Sequence, residues 1–191
     1  MKKYSEEIQP PYFLFALVAA PIFLINFLLP AHPITPTHLS IAAFIDNHLF
    51  GQIGFWSSRF PLSSKLTANY IACIGPPFAI IAFYKTYQTM KIDPKQYDNY
   101  SLTKYVFVLI FMTFYLLFFS AIFYSISTDL AMNTRKYGFY GAYTFSFSLF
   151  SSSMLVIFYV TPIFMHRCFV YLPRLLHERW RLRRSQDRSQ K

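Results

Sequence analysis

Four stretches of the chain are long enough and apolar enough to cross a membrane as helices. The predicted spans cover residues 11–30, 66–84, 105–126 and 139–165. A run of roughly 19 residues rises about 28 Å as a helix, which matches the hydrocarbon core of a bilayer. Charged residues lie between and after these runs. The pattern predicts an all-α membrane protein built as a bundle of four transmembrane helices.

The second predicted span carries a row of small residues on one face. They recur at alternating spacings of about four and three: Ala68, Ala72, Gly75, Ala79 and Ala82. Since small side chains let two helix backbones approach closely in lipid, we expect this face to pack against another helix. Pro76 and Pro77 are expected to interrupt and kink the span, so neighbouring helices must cover the carbonyls that they free.

The fourth predicted span carries a second face of this kind. Thr144, Ser148 and Ser152 lie four residues apart, and their hydroxyls can hydrogen-bond across a helix contact. Pro162 is expected to bend the end of this span. The two small-residue faces are the candidate sites for binding a partner helix.

The loop between the first two spans contains a different pattern. From Leu39 to Trp56, apolar residues recur at helical spacing, but polar residues lie opposite them and the run is too broken for a span. We expect a helix lying on the membrane surface, with Phe55 and Trp56 as an aromatic anchor. This loop is also the best exposed candidate for recognition on its side of the membrane.

Basic residues are concentrated on one side of the predicted bundle. About 14 Lys and Arg fall on the side of the termini and about 4 on the other, so the positive-inside rule puts both termini in the cytoplasm. We expect residues 1–172 to form one membrane domain and residues 173–191 a basic cytoplasmic tail on anionic lipid headgroups.

The composition supports a membrane protein. Apolar residues make up 54% of the 191 residues and charged residues 14%, against roughly 25% in soluble chains. The net charge of +10 could indicate nucleic-acid binding. However, the charges lie between and after the apolar runs, so we predict a membrane partner and no nucleic acid.

The predicted spans lack the groups that catalysis and proton transport need. No Asp, Glu, Lys, Arg or His lies within their apolar cores, and ionisable groups at that depth mark proton relays and catalytic sites. We therefore expect no enzymatic activity and no cofactor, and a buried acid, base or bound metal lining a wet cavity between the helices would contradict this expectation. Cys73 and Cys168 are expected to be packing residues and not a disulfide or metal pair.

Three histidines of the first loop leave a further alternative open. His32, His38 and His48 match no zinc-binding spacing, and the prediction is that they hold no metal. The alternative hypothesis is that the chain is a membrane enzyme or lipid transporter and uses these histidines.

The region of the second span resembles the immunity proteins of pore-forming colicins, of the colicin A type. The resemblance rests on Pro61-Leu62-x-x-Lys65, Tyr70, Cys73 and Pro77-Phe78 before an apolar run into basic residues, and on Thr161-Pro162 before a basic tail. The layout of four spans, a long first external loop and internal termini is similar too. The longer Arg-rich tail and the aromatic excess depart from the family pattern.

The resemblance implies a specific function. Such a protein would bind the channel domain of a cognate colicin in the inner membrane and prevent the pore from opening. A chain with packing faces and no reaction centre could also be a structural or accessory subunit of a membrane complex, such as an exclusion or assembly factor. Co-purification of a stoichiometric resident partner would favour that alternative.

Overall fold

The protein is mostly helical. The computed structural model describes residues 8–92, 97, 100–132 and 137–189, with side chains described as far as Arg181. Its elements, in chain order, are α1 (Tyr12–Leu28), α2 (Pro36–His48), β1 (Gly54–Trp56), α3 (Pro61–Thr89), α4 (Leu102–Tyr124), β2 (Ser127–Asp129), α5 (Gly138–Ala142), α6 (Thr144–His166), a π-helical segment (Arg167–Tyr171) and α7 (Leu172–Ser189).

Three helices of the described chain are long enough and apolar enough to cross a membrane. They are α3, α4 and the continuous helix Thr144–Arg181, which contains α6, the π-helical segment and the start of α7. The fourth apolar helix, α1, has 17 residues and rises about 26 Å. The helical and membrane-compatible character predicted from the sequence is therefore confirmed, while the fourth span stays a prediction.

The core of the bundle lies between α1, α3 and α6. α3 packs most extensively against α6, and α1 lies against both of them. Edge-to-face ring contacts join the three helices, because Phe15 of α1 meets Phe78 of α3 at 4.9 Å and Tyr159 of α6 at 5.0 Å between ring centroids. α4 lies at the side of this core, against α6, β1 and the π-helical segment.

Pro76 and Pro77 do not interrupt α3. The helix runs through them for 29 residues, with both rings on the exposed side, so the expectation of an interruption was wrong. Proline lacks the amide that would bond the carbonyl four residues earlier, which for Pro76 is the carbonyl of Ala72. The Tyr124 hydroxyl of α4 donates to that carbonyl at 3.1 Å. A neighbouring helix thus satisfies a freed carbonyl, as the sequence predicted.

The predicted helix from Leu39 to Trp56 is wrong in its second half. α2 begins at Pro36, where the Thr35 side chain accepts from the amide of His38, and ends at His48. Gly51 and Gly54, beyond the end of α2, adopt left-handed conformations with φ of 65° and 60°, so this segment does not continue as a helix. Phe55 and Trp56 instead lie on β1, which pairs in parallel with β2 in the register Gly54–Ser127 to Trp56–Asp129.

The fourth predicted span differs at both ends. At its start, Tyr143 is extended (φ −128°, ψ 134°) and separates α5 from α6, so residues 139–165 do not form one helix. At its end, the helix continues through the π-helical segment into α7, so the basic residues after His166 prolong it. The domain boundary predicted at residues 172/173 falls inside this continuous helix and stays a prediction.

Candidate functional site

The small-residue face of α3 is buried inside the chain. Ala68, Ala72, Gly75, Ala79 and Ala82 are all buried, with Ala82 completely inaccessible. Ala72, Ala79 and Ala82 belong to the same core cluster as Phe158, Tyr159 and Ile163 of α6. Because this face is covered by helices of the same chain, a partner helix could reach it only if the core opened.

The closest approach in this core is at Gly75. A Cβ atom added there would lie 2.8–2.9 Å from three carbons of the Phe158 ring. That ring is held in turn by edge contacts to Phe119 at 5.0 Å and Phe123 at 5.3 Å between centroids. Only glycine therefore fits between α3 and α6 at this level.

The hydroxyl row of α6 does not form bonds to α3 in the described structure. Ser148 is fully buried, and its hydroxyl donates to the carbonyl of Thr144 in its own helix at 2.8 Å. Thr144 is half-buried, and the buried hydroxyl of Ser152 has no hydrogen-bond partner among the described residues. These residues act in the fold as compact packing positions, and whether they contact a partner stays a prediction.

Other polar side chains join the helices at the depth of the core. The Asn26 amide of α1 donates to Thr67 of α3 at 3.0 Å, and the hydroxyls of Thr86 and Tyr159 lie 2.9 Å apart between α3 and α6. The Tyr70 hydroxyl donates to the carbonyl of Val18 at 2.9 Å. Each bond satisfies a polar group away from water, and such bonds fix the register of helices in lipid. The sequence did not predict these bonds, because single polar side chains in an apolar run have no spacing signal.

A polar cap closes the bundle at the end where α3 begins. The Asn69 amide donates to the carbonyl of Gly51 at 2.7 Å, and its oxygen accepts from the amide of Phe50 at 3.0 Å. Ser57, which is fully buried, donates to the carbonyl of Gly141 at 2.6 Å. The ion pair between Lys65 and Asp46 ties α2 to α3. The loop after α1 is therefore fixed on the helix ends.

The outer face of α4 is a long apolar surface that no other described element covers. Only Met112 and Phe123 of its 23 residues are buried. Four phenylalanines on it expose between 68% and 70% of their surface: Phe107, Phe111, Phe114 and Phe118. Aromatic residues at such density offer large rigid contacts for lipid or for another helix. The sequence signal was the apolar character of this helix all round.

A cavity of about 480 Å³ lies on the inner side of α4, against the π-helical segment. Val108 and Met112 of α4, and Phe164 and Leu172 beyond it, form apolar parts of its wall, and Arg167 lines it as well. Arg167 lies two residues beyond the fourth predicted span, so the prediction of charge-free spans does not cover it. It reaches this position because the helix continues past residue 165. A guanidinium stays charged, so it can bind an anion but cannot transfer protons as a general base.

The histidines of the first loop do not converge. His32 is exposed, His48 stacks on Phe44 at 4.9 Å between centroids, and the Nδ1 of His38 accepts from the amide of Ile34 at 3.4 Å. No group of three potential metal ligands occurs among residues 8–92, 100–132 and 137–181. Cys73 is exposed and Cys168 is buried, and both are free thiols. The described geometry gives the histidine alternative no support.

The described chain thus contains an internally filled core, an uncovered aromatic helix face and one apolar cavity with a cation in its wall. Comparison of the chain with family models, curated proteins and solved structures finds no match.

Proposed function

We propose that this chain is a four-span inner-membrane protein that protects its cell from a pore-forming colicin by binding the toxin's channel domain in the bilayer. The observation that carries the proposal is the outer face of α4, which is apolar, aromatic and uncovered over most of its length. Between Leu66 and Tyr84, and along α1, the chain has no charged side chain, which favours binding over transport or catalysis.

The four-span arrangement follows if α1 crosses the membrane with the three longer helices. Its 17 residues are at the short end of the range for a span, and the local bilayer can thin to match it. The excess of basic residues on the side of the termini then places both termini in the cytoplasm. Basic side chains of α7, such as Arg174, would lie near anionic headgroups on that side.

The outer face of α4 is the part of the bundle best suited to meet a toxin helix. Phe107, Ile110, Phe114 and Leu117 recur at spacings of three and four on one exposed stripe. Lipid gives no hydrophobic force between helices, so affinity would come from the fit of these rings against a partner. The faces of α3 and α6 proposed from the sequence would act indirectly, since they form the core against which α4 packs.

The test is a protection assay in toxin-sensitive bacteria that express the chain from an inducible promoter. A panel of pore-forming colicins is applied, with a nuclease toxin as the specificity control. We expect survival with one or a few of the pore formers and none with the nuclease. If the protein is inserted and abundant but protects against no pore former, the proposed function is wrong.

Paired variants then locate the contact. Phe107→Ala with Phe114→Ala removes two exposed rings of α4, and Phe13→Ala with Phe27→Ala removes two exposed rings of α1 as the matched control. Exposed substitutions of this kind usually change stability by less than about 0.5 kcal/mol. Loss of protection with the α4 pair alone supports the proposed face. Equal protection by both pairs would remove α4 from the mechanism.

A further inference from the structure

The cavity between α4 and the π-helical segment is separate from the exposed stripe of α4 proposed for the toxin, because none of the stripe residues Phe107, Ile110, Phe114 and Leu117 lines it. Its volume of about 480 Å³ lies within the range of small-ligand pockets, roughly 300–1,000 Å³. Most of its wall is apolar, and the Arg167 side chain is half-buried there. A ligand that fills it must therefore combine a long apolar body with a group that a guanidinium can bind.

The cavity extends along α4 from its beginning into its apolar part. Tyr97 and Tyr100 line it and precede Leu102, the first residue of the helix. Val108 and Tyr115 line it further along, and the helix rises about 10 Å between them. Tyrosines are enriched at the boundary between headgroups and hydrocarbon. The cavity thus has the direction of a lipid molecule, from the interface towards the centre of the bilayer.

Arg167 is placed for a phosphate. It directly follows the apolar α6 and begins the π-helical segment, a rare backbone form that often occurs at functional sites. An arginine near the end of a span can extend its side chain to the level of the headgroups, where the phosphates lie. The planar guanidinium matches phosphate oxygens with two parallel hydrogen bonds. Lys104, in the first turn of α4, adds positive charge near this end of the cavity, which favours an anionic headgroup.

We propose that this cavity binds one anionic phospholipid, with its phosphate at Arg167 and one acyl chain along Val108, Met112 and Phe164. The bilayer supplies such molecules in excess, and a lipid bound here would fill the space between α4 and the core. This inference depends on membrane insertion but not on the toxin. If no lipid binds, the proposed function is therefore unaffected. If the chain protects against no toxin, the lipid site is likewise unaffected.

Native mass spectrometry of the purified full-length protein tests the proposal. The protein is delipidated in a mild non-ionic detergent and titrated with phosphatidylglycerol or phosphatidylcholine of identical acyl chains. We expect one tightly bound phosphatidylglycerol per chain, with affinity about tenfold above that of phosphatidylcholine, because both lipids carry a phosphate but only phosphatidylcholine brings a quaternary ammonium cation towards Arg167. Equal retention of the two lipids, or retention of neither, would overturn the proposal.

Two pairs of variants separate the cavity from the basic surface. Arg167→Gln should weaken phosphatidylglycerol binding about tenfold, while the control Arg174→Gln on the exposed side of α7 should change it less than about twofold. Met112→Trp fills the cavity and should reduce binding of both lipids, while Met165→Trp, outside the cavity, should not. Equal losses within either pair would indicate adsorption to the surface and contradict the proposal. Circular dichroism checks that each variant is folded. If a variant is not folded, the preference of the unaltered protein for phosphatidylglycerol over phosphatidylcholine decides the test.

Discussion

Enlarging Gly75 perturbs the closest contact between α3 and α6. A Cβ atom at this position would lie 2.8 Å from the Cδ2 and Cε2 carbons of Phe158, closer than side chains tolerate. The ring is 6% exposed and cannot swing away freely, because Phe119 and Phe123 contact its other sides. The strain must therefore separate the two helices or force the ring out of its preferred rotamer.

The size of the effect follows from two opposing terms. Overpacking a core by a methyl group costs about 1–3 kcal/mol, while replacing a helical glycine by alanine gains roughly 1 kcal/mol in backbone propensity. Gly75→Ala should therefore destabilise the protein by about 1 kcal/mol in net terms. Gly75→Leu adds three more carbon atoms to the same contact, so its cost should reach about 3 kcal/mol or more.

The assay is reversible unfolding of the purified protein in mixed micelles, followed by circular dichroism. Phe158→Leu is combined with each Gly75 variant, because a smaller side chain should make room for the added carbons. We expect the double variants to be more stable than the sum of the single effects by about 1 kcal/mol or more. Ser120→Thr, which adds one methyl group to an exposed position of α4, serves as the control and should be neutral.

Two results would contradict a close contact between Gly75 and Phe158. If Gly75→Leu unfolds at the same point as the unaltered protein, the α3 face is not in close contact with α6. Additive effects of Gly75→Leu and Phe158→Leu would likewise show that the two residues do not touch. Either result would make the small-residue face available for a partner helix, as the sequence alone suggested.

Three other substitutions test separate parts of the fold by the same unfolding assay. Gly141→Ala should cost about 3 kcal/mol or more, because its Cβ would lie 2.3 Å from the backbone nitrogen of Ala131, which cannot rotate away as a ring can. A variant as stable as the unaltered protein would contradict this. Tyr124→Phe should cost about 1 kcal/mol because it leaves the Ala72 carbonyl without a donor, whereas the control Tyr84→Phe on an exposed position should be neutral. Asn69→Ala should cost about 1–3 kcal/mol and speed hydrogen exchange at residues 49–52, and unchanged exchange would show that the cap does not hold this loop.

Much of the helical structure could be predicted from the sequence because its signals are local. Uninterrupted apolar runs located α1, α3 and α4, and the spacing of Ala72 and Gly75 indicated a face that lies in the core. The sequence also predicted that Pro76 leaves the Ala72 carbonyl without its helical donor, since this depends on backbone chemistry alone. The donor, Tyr124, could not be named, because it comes from a helix 52 residues away in the chain.

The features that were missed depend on contacts distant in sequence. The pairing of β1 with β2 joins two strands of three residues each, which is too short to leave a pattern of alternation. The positive φ angles of Gly51 and Gly54 explain why the helical spacing after His48 was misleading. The onset of basic residues after His166 was interpreted as the end of a span, although Leu, Arg and Glu are good helix formers and continue the helix.

The cavity at Arg167 could not be predicted for the same reason. Its wall comes from residues before α4, from α4 itself and from the continuation of α6, and only their packing brings them together. Likewise, nothing in the sequence distinguished a small-residue face that is filled by the chain's own helices from one that is open to a partner. For the proposed function, the candidate surface for a partner therefore changes from α3 to the outer face of α4.

Ion efflux from liposomes tests most directly whether this surface blocks a pore. The purified protein is reconstituted into potassium-loaded liposomes, and the channel domains of the pore-forming colicins are added under a membrane potential. The account predicts that efflux caused by at least one channel domain falls to the background at an equimolar ratio, and that Phe107→Ala with Phe114→Ala restores it. Unchanged efflux with every channel domain, in liposomes that contain folded protein, would contradict the account.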